Sequence, residues 1–449
     1  MYEAHDSPLP SLRSRVGNRF PPGSGTAPPL PLVILGETAF RGQRKRFGIR
    51  PQDRLRHTYL LGKTGTGKST LIASMVIQDL EQGTGLALLD PHGDLVEAVL
   101  PFVPAARRAD VLLFAPEDEA FPISFNVFRQ GRRQIANTGL LASQLVSVFK
   151  HQWSDSWGPR LEHVLRLGIL AVAESPEATL LLLYRFLAGE SVRTKVLEQV
   201  KDPLVRAYWE DEFPGYSKSL QREILSPVLN KLGAFVTQRV ARHIVGQVRS
   251  RVDLGELMKR RGILLAKLPA GQVGEDVSHL LGGLLVSSLT HAALARGPGA
   301  PGFTLYVDEF QHFVSDALPT VLSEARKFGL GLVLAHQYLG QLPHWLQDAV
   351  LGNIGTTVLF RLGALDAQKL EPEFFPPYSH GDLSRLPNHH VALKLLIEGT
   401  ASEPFAAQTL PPRRPPADAA EVVEQITELS RQRFAKPRGS VEDALRLGS

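Results

Sequence analysis

Apolar and polar positions follow two rhythms along this chain, and the switch between them divides it. From His57 to about position 128, short wholly apolar runs alternate with stretches whose apolar residues recur every three to four positions. "HTYLLG", "GLALLD" (85–90) and "DVLLFA" (110–115) read as buried strands. "GKSTLIASMVIQDLEQG" and "GDLVEAVLPFV", between them, read as helices. Apolar strands that each hand over to a helix predict a parallel sheet covered on both faces, an α/β fold.

The rhythm changes between about 130 and 252. Ile135, Leu141, Leu145 and Val148 recur at helical spacing, as do Leu161, Val164, Leu165 and Val172, and again Leu220, Ile224, Val228 and Leu232. Pro159, Pro176, Pro203 and the "FPGYS" turn (213–217) punctuate these helices, and no convincing strand interrupts them. The pattern predicts an all-helical domain, 129–252, inserted into an α/β domain that spans 36–128 and 253–410. The strand–helix rhythm resumes at "GILLAKLP" (262–269) and a helix from about Gly274 to Arg296. It continues through the strands "FTLYVD", "GLVLAH", "GTTVLFRLG" and "HVALKLLIEG".

The flanks differ. Residues 1–35 open with Pro, Ser and Gly and predict a flexible arm. "FRGQRKRFGIR" (40–50) reads as a solvated basic loop, or as a contact for DNA or a partner. Residues 411–449 begin as a linker, "PPRRPPADAA", and end in a helix over 419–433 and a short helical scrap. The chain shows no internal repeat.

Composition narrows the class. With 449 residues and 43% hydrophobic content the chain can bury a sizeable core, and with no cysteine it has neither disulfides nor thiolate zinc. No uninterrupted apolar run approaches the roughly 18–20 residues that span a bilayer, and the first thirty residues lack the order of a signal peptide. The expectation is a cytoplasmic protein without an integral membrane segment, able to dock at the inner face of the membrane. A net charge of +5 and a pI near 9.3 permit nucleic-acid binding without demanding it.

The chemistry starts at "GKTGTGKS", Gly62 to Ser69, which fits G-x-x-x-x-G-K-[ST] and sits between a strand and a helix. Gly62, Gly65 and Gly67 let the backbone curl so that amides from Lys63, Thr64 and Thr66 onward face a phosphate. The helix beyond, through Thr70, adds its positive end. Lys68 would bridge the β- and γ-phosphates of ATP and Ser69 would ligate Mg²⁺. "TLYVDEF" places Asp308 at a strand end, to hold the same Mg²⁺, and Glu309 beside it, as general base for the attacking water. An adjacent Glu favours ATP hydrolysis, and the guanine-reading Asn-Lys-x-Asp is absent.

Gln337 falls just past "GLGLVLAH", at a strand C-terminus where ligands gather, and could hold the γ-phosphate or water, or simply turn the chain. Arg326 and Lys327 end a helix. They are ordinary dipole partners there, or Arg326 is a finger reaching the nucleotide of a neighbouring subunit in a ring. Arg361 is a second candidate for that finger. Asp90, at another strand end near the crevice, reads as a helix cap or structural hydrogen-bond partner, ahead of a direct magnesium or DNA role. His92, His312 and His336 have no ligand-like spacing, so no transition-metal site is expected.

These residues resemble a known group. "RHTYLLGKTGTGKSTLI", "ALLDPHGDL", "LYVDEFQHF", "SEARKFGLGLVLAHQYLGQL" and "LGNIGTTVLFRLGALDA" are similar to motifs of the HerA–FtsK superfamily of DNA-pumping ATPases. They are most similar to those of the soluble part of type IV secretion coupling proteins. The likeness runs from about Gly36 to Leu410. It implies a RecA-like P-loop NTPase domain carrying an all-helical domain, assembled as a hexamer around a DNA channel. Lys68, Ser69, Asp308, Glu309, Gln337 and Arg326, the last in trans, would take the nucleotide roles above. A secretion channel, a relaxase or a nuclease would be the partner. The likeness departs at the N-terminus, where many coupling proteins carry membrane helices and none is visible here. A HerA-like helicase serving a nuclease, a protein-directed secretion motor and a nucleotide-gated scaffold stand as alternatives. Candidate channel-lining segments are "PAGQVGED" (269–276) and the basic 41–50 stretch.

Overall fold

Every apolar run singled out above becomes a strand in the computed structural model, which describes residues 32–40, 43–130, 133–135, 137–154 and 157–447. In chain order the longer strands are β1 (Val33–Phe40), β2 (Gln43–Ile49), β3 (Thr58–Leu61), β4 (Gly85–Asp90), β5 (Val111–Phe114) and β6 (Ile263–Lys267). They continue as β7 (Phe303–Val307), β8 (Leu330–His336), β9 (Thr356–Leu359), β10 (His390–Lys394) and β11 (Phe405–Thr409). The described residues form two compact units, one running up to Gln82 and resuming over Gly331–Arg414, the other Gly83–Leu330 with the chain from Pro415 onward.

In the first unit the strand order is β2-β1-β11-β10-β9-β3-β8. The strands β8, β3 and β9 run parallel, and the rest of the order is antiparallel. Helix α1 (Lys68–Gln82) follows β3 and buries Leu71, Ile72, Met75 and Val76. Its Asp79 is fully buried and bound by both guanidinium nitrogens of Arg54, at 2.6 and 2.7 Å. The basic stretch read as a loop is instead β2, paired antiparallel with β1. As the outer strand of this unit it leaves Arg44, Lys45 and Arg46 exposed, a charged edge that resists pairing with another chain. The stretch read as a flexible arm lies outside the described residues up to position 31, and β1 begins at Val33.

In the second unit β7-β4-β6-β5 is wholly parallel, and its strands are buried along nearly their whole length. Helix α2 (Asp94–Val99) follows β4. Between β5 and β6 runs the helical block, led by α3 (Thr138–Gln152) and including Pro159–Ala173, Leu180–Ala188 and Lys218–Thr237. A two-residue hairpin, Arg129–Gln130 with Arg133–Gln134, opens the block where no strand was expected; pieces so short leave no periodicity to read. Helix α4 (Glu275–Leu294) is long and apolar enough to cross a membrane by length and composition, but 78% of that window is buried inside the protein. Helix α5 (Ala419–Phe434) lies along β5, where Ser430 Oγ accepts from Leu113 N at 2.9 Å. It thereby covers a strand edge that would otherwise present bare amides.

Candidate functional site

The phosphate loop is built in the first unit. Gly65 and Gly67 take φ of +74° and +114°, a region costly to any residue with a Cβ. A methyl on Gly65 would meet nothing within 4 Å, so the loop is open there, whereas one on Gly67 would lie 2.8 Å from His389 Nδ1. Lys68 is buried and folds back over the loop, its Nζ donating to Gly62 O at 2.6 Å and Lys63 O at 3.3 Å. Thr66 Oγ1 donates to Lys63 O at 2.7 Å. Lys63, Thr64 and Ser69 are exposed, and Thr70 is partly so. A buried ammonium resting on carbonyls beside an open turn, at the amide end of a fifteen-residue helix, suits a triphosphate.

Neighbouring elements hold the loop in this shape. Lys63 N donates to Arg361 O at 3.0 Å, and His389 N to Thr66 O at 2.9 Å. Parallel pairing of β8 with β3 sets His336 opposite Leu61, and Gly62 N donates to His336 O at 3.4 Å. Gln337 therefore stands at the level of the loop's first glycine, and Arg361 borders its second residue. Gln341 Oε1 accepts from the backbone N of both Gln337 and Tyr338, at 3.0 and 3.1 Å, and so sets how Gln337 leaves the strand. His336 is fully buried with Nε2 2.5 Å from Tyr59 Oη. Burial first, and then the charge of Lys68, lower its pKa to about 3, so it is a neutral imidazole beneath the loop.

The acidic strand end is built in the second unit. Asp308 and Glu309 follow β7, both buried. Asp308 N donates to Leu89 O at 3.1 Å, and Asp308 Oδ1 accepts from Glu309 N at 3.1 Å. Glu309 is left-handed, φ 45° and ψ 51°, which is strained for a residue with a side chain. Gln311 Nε2 donates to Glu309 Oε2 at 2.9 Å. A buried carboxylate suits Mg²⁺, which commonly takes one or two carboxylates along with water and substrate phosphates. Asp90 accepts from the backbone N of His92, Leu95 and Val96 at 2.8–3.1 Å, the helix-capping role expected of it. Arg326 and Lys327 are exposed on the turn Ala325–Phe328 of this unit.

Sequence reasoning missed the supports: His336, Gln341, His389 and Gln311. His336 offered one signal, a polar residue closing an apolar strand just before Gln337. Gln341 and Gln311 sit in turns and bind groups only a few residues away, without any periodicity to mark them, whereas His389 meets Thr66 from a remote segment.

Comparison with known proteins gives the same direction. The family Helicase HerA, central domain, matches residues 41–253. The type 4 coupling protein DotL of Legionella pneumophila (strain Philadelphia 1) is 26% identical, over 69% of this chain and 47% of its own. This chain thus spans about half the length of that curated relative. Among solved structures, the bacterial conjugative coupling protein TrwBdeltaN70 matches with a TM-score of 0.59 at 13% identity, over 87% of this chain and 90% of its own. TrwB in complex with ADP and Mg²⁺ matches at 0.61 and 15%, over 82% and 89%. VirB4 of Thermoanaerobacter pseudethanolicus matches at 0.56 and 14%, over 88% and 98%. At these identities the structures speak for the fold alone, an α/β sheet architecture with a helical block. Over residues 41–253 the chain is thus similar to the HerA central domain, and over 69% of its length to a type 4 coupling protein.

Proposed function

We propose that this protein is an ATP-driven DNA translocase of the type IV coupling kind, working as a homohexameric ring that moves DNA through a central channel. The observation that carries the nucleotide half is the loop itself, with Lys68 drawn over its carbonyls, Gly65 and Gly67 in positive φ and Gln337 held at its side. On this reading Gly62 through Thr70 bind the phosphates, and Ser69 and Asp308 hold Mg²⁺, which would neutralise charge on the transferred phosphoryl group. Glu309 takes a proton from the attacking water, Gln337 responds to the γ-phosphate, and Arg326 or Arg361 enters from the next subunit. The likeness to coupling proteins supports the DNA half. It also supports a cytoplasmic ring docked at the membrane, served by a relaxase or a channel protein. Movement along DNA would run on its phosphates, independent of sequence.

The test is ATP turnover by the purified protein, titrated with single-stranded and then duplex DNA, beside Lys68→Ala and Glu309→Gln. The expected result is DNA-stimulated turnover that Lys68→Ala abolishes, with Glu309→Gln losing the stimulation and keeping only a slow residual rate. Turnover indifferent to DNA would transfer the reading to a protein-directed motor. ATP binding with no turnover would leave a nucleotide-gated scaffold, and hydrolysis surviving Lys68→Ala would overturn the site.

A further inference from the structure

The segment after Glu309 carries more order than a strand-to-helix connection requires. Glu309 keeps a left-handed backbone, and such a conformation persists in a non-glycine residue only where its surroundings over-determine it. The turn Phe310–Phe313 follows directly, closed by His312 N donating to Glu309 O at 3.1 Å. Helix α3 grips the same segment from the helical block. Ser147 Oγ accepts from Asp316 N at 2.7 Å, Lys150 Nζ meets Asp316 Oδ2 at 3.0 Å, and His151 Nε2 lies 3.2 Å from Gln311 O. Positions 147, 150 and 151 share one face of a helix, so a single helical face fixes the main chain of 311–316.

The side chain of Gln311 is then held in one orientation. Its Nε2 lies 2.9 Å from Glu309 Oε2 and 3.2 Å from His312 Nε2. A primary amide has two hydrogens, one for each of these acceptors, provided His312 is neutral with its proton on Nδ1. Burial chiefly, and then neighbouring His279, lower His312 to about 4, and the two imidazoles stack with centroids 4.2 Å apart. Gln311 Oε1, meanwhile, is buried and meets no donor among the described residues. Turning the amide over would set that oxygen against the Glu309 carboxylate, acceptor to acceptor. The amide leaves its oxygen unsatisfied in order to donate to Glu309, and a buried polar atom left so points to a use.

We propose that Gln311 is a positioning residue for Glu309, holding its carboxylate in one orientation toward the water of nucleotide hydrolysis, with α3 fixing Gln311 in turn. This rests on reading Glu309 as the general base. It adds a residue to the hydrolytic machinery and gives the helical block a direct mechanical contact with it.

The experiment measures ATP turnover, ATP affinity and thermal melting for Gln311→Met and Gln311→Ala in the full chain, alone and combined with Glu309→Gln. Methionine keeps the volume and removes the donor. The expected result is a fall in kcat of roughly 10- to 100-fold, the range for losing a partner that orients a reacting group, with ATP affinity and melting temperature unchanged. In the Glu309→Gln background, Gln311→Met should add less than about twofold, because it acts through the missing carboxylate. Near-normal kcat in Gln311→Met, beside a Glu309→Gln slowed to its residual rate, would overturn the proposal and leave the base intact. Equal losses in both backgrounds, or lowered melting in both Gln311 variants, would also overturn it by showing a merely structural role. Full turnover in Glu309→Gln itself would instead remove the base reading, and the proposal with it.

Discussion

Asp79→Ala should weaken this protein far more than any exposed charge deletion, and the reason lies in where its partner is. Asp79 stands about three turns into α1, the helix whose first residues are Lys68 and Ser69. Arg54 meets it with two parallel hydrogen bonds, 2.6 and 2.7 Å, at relative exposures of 6% and 0%. The exposed pair Arg160–Glu223, at 74% and 69%, is worth about 0–1 kcal/mol. Removing Asp79 would leave a guanidinium buried without its counter-charge, a loss of about 3–5 kcal/mol. With a urea m-value of about 2–3 kcal/mol/M, the unfolding midpoint should fall by roughly 1–2 M, read by circular dichroism. Because the pair is out of solvent, added salt should barely change the effect. Replacing both partners, Arg54→Met with Asp79→Leu, should recover most of the loss, since the cost is the orphaned charge and not the absence of an attraction. ATP affinity should fall with the single change as the start of α1 loosens. A midpoint moved by less than about 0.3 M, or a double replacement as damaging as Asp79→Ala, would refute the reasoning.

Two further outcomes follow from the phosphate loop. His336 is held near pKa 3 against an ordinary 6.5, so between those values the unfolded chain binds a proton that the native state does not. Its contribution is fully present above about pH 6.5 and declines as pH falls toward 3, amounting to about 2 kcal/mol lost at pH 5. His336→Gln should therefore narrow the gap in stability between pH 7.5 and pH 5, measured by urea unfolding, and an unchanged gap would contradict the assignment. Gly67→Ala places a methyl 2.8 Å from His389 Nδ1 on a backbone at φ +114°. It should reduce ATP affinity at least about tenfold by equilibrium binding while the protein stays folded, and wild-type affinity would show that the loop binds in another shape.

The sequence by itself determined β3 to β10, because a strand buried on both faces must be apolar along its length, and such runs ending at glycine or aspartate are hard to mistake. It determined the glycine-rich loop for a similar reason. The positive-φ turns at Gly65 and Gly67 favour glycine, so the shape of the loop is written in residue type. The helical character of 138–245 was legible from its period, but the hairpin that opens the block was too short to leave one. The basic stretch at 40–50 was misread as a loop because its edge-strand character depends on pairing with β1, a relation between segments and not a property of either.

What only the tertiary structure decided has that same origin. Arg54 finds Asp79 across 25 residues, and Ser430 meets Leu113 across 317. His389 closes against Thr66, and His151 of the helical block reaches Gln311 beside Glu309. Local pattern specifies which residues a chain must bury and where it must turn. Which polar groups then share the buried space is set by the packing of remote segments, because a buried donor or acceptor must be satisfied by whatever the fold brings to it.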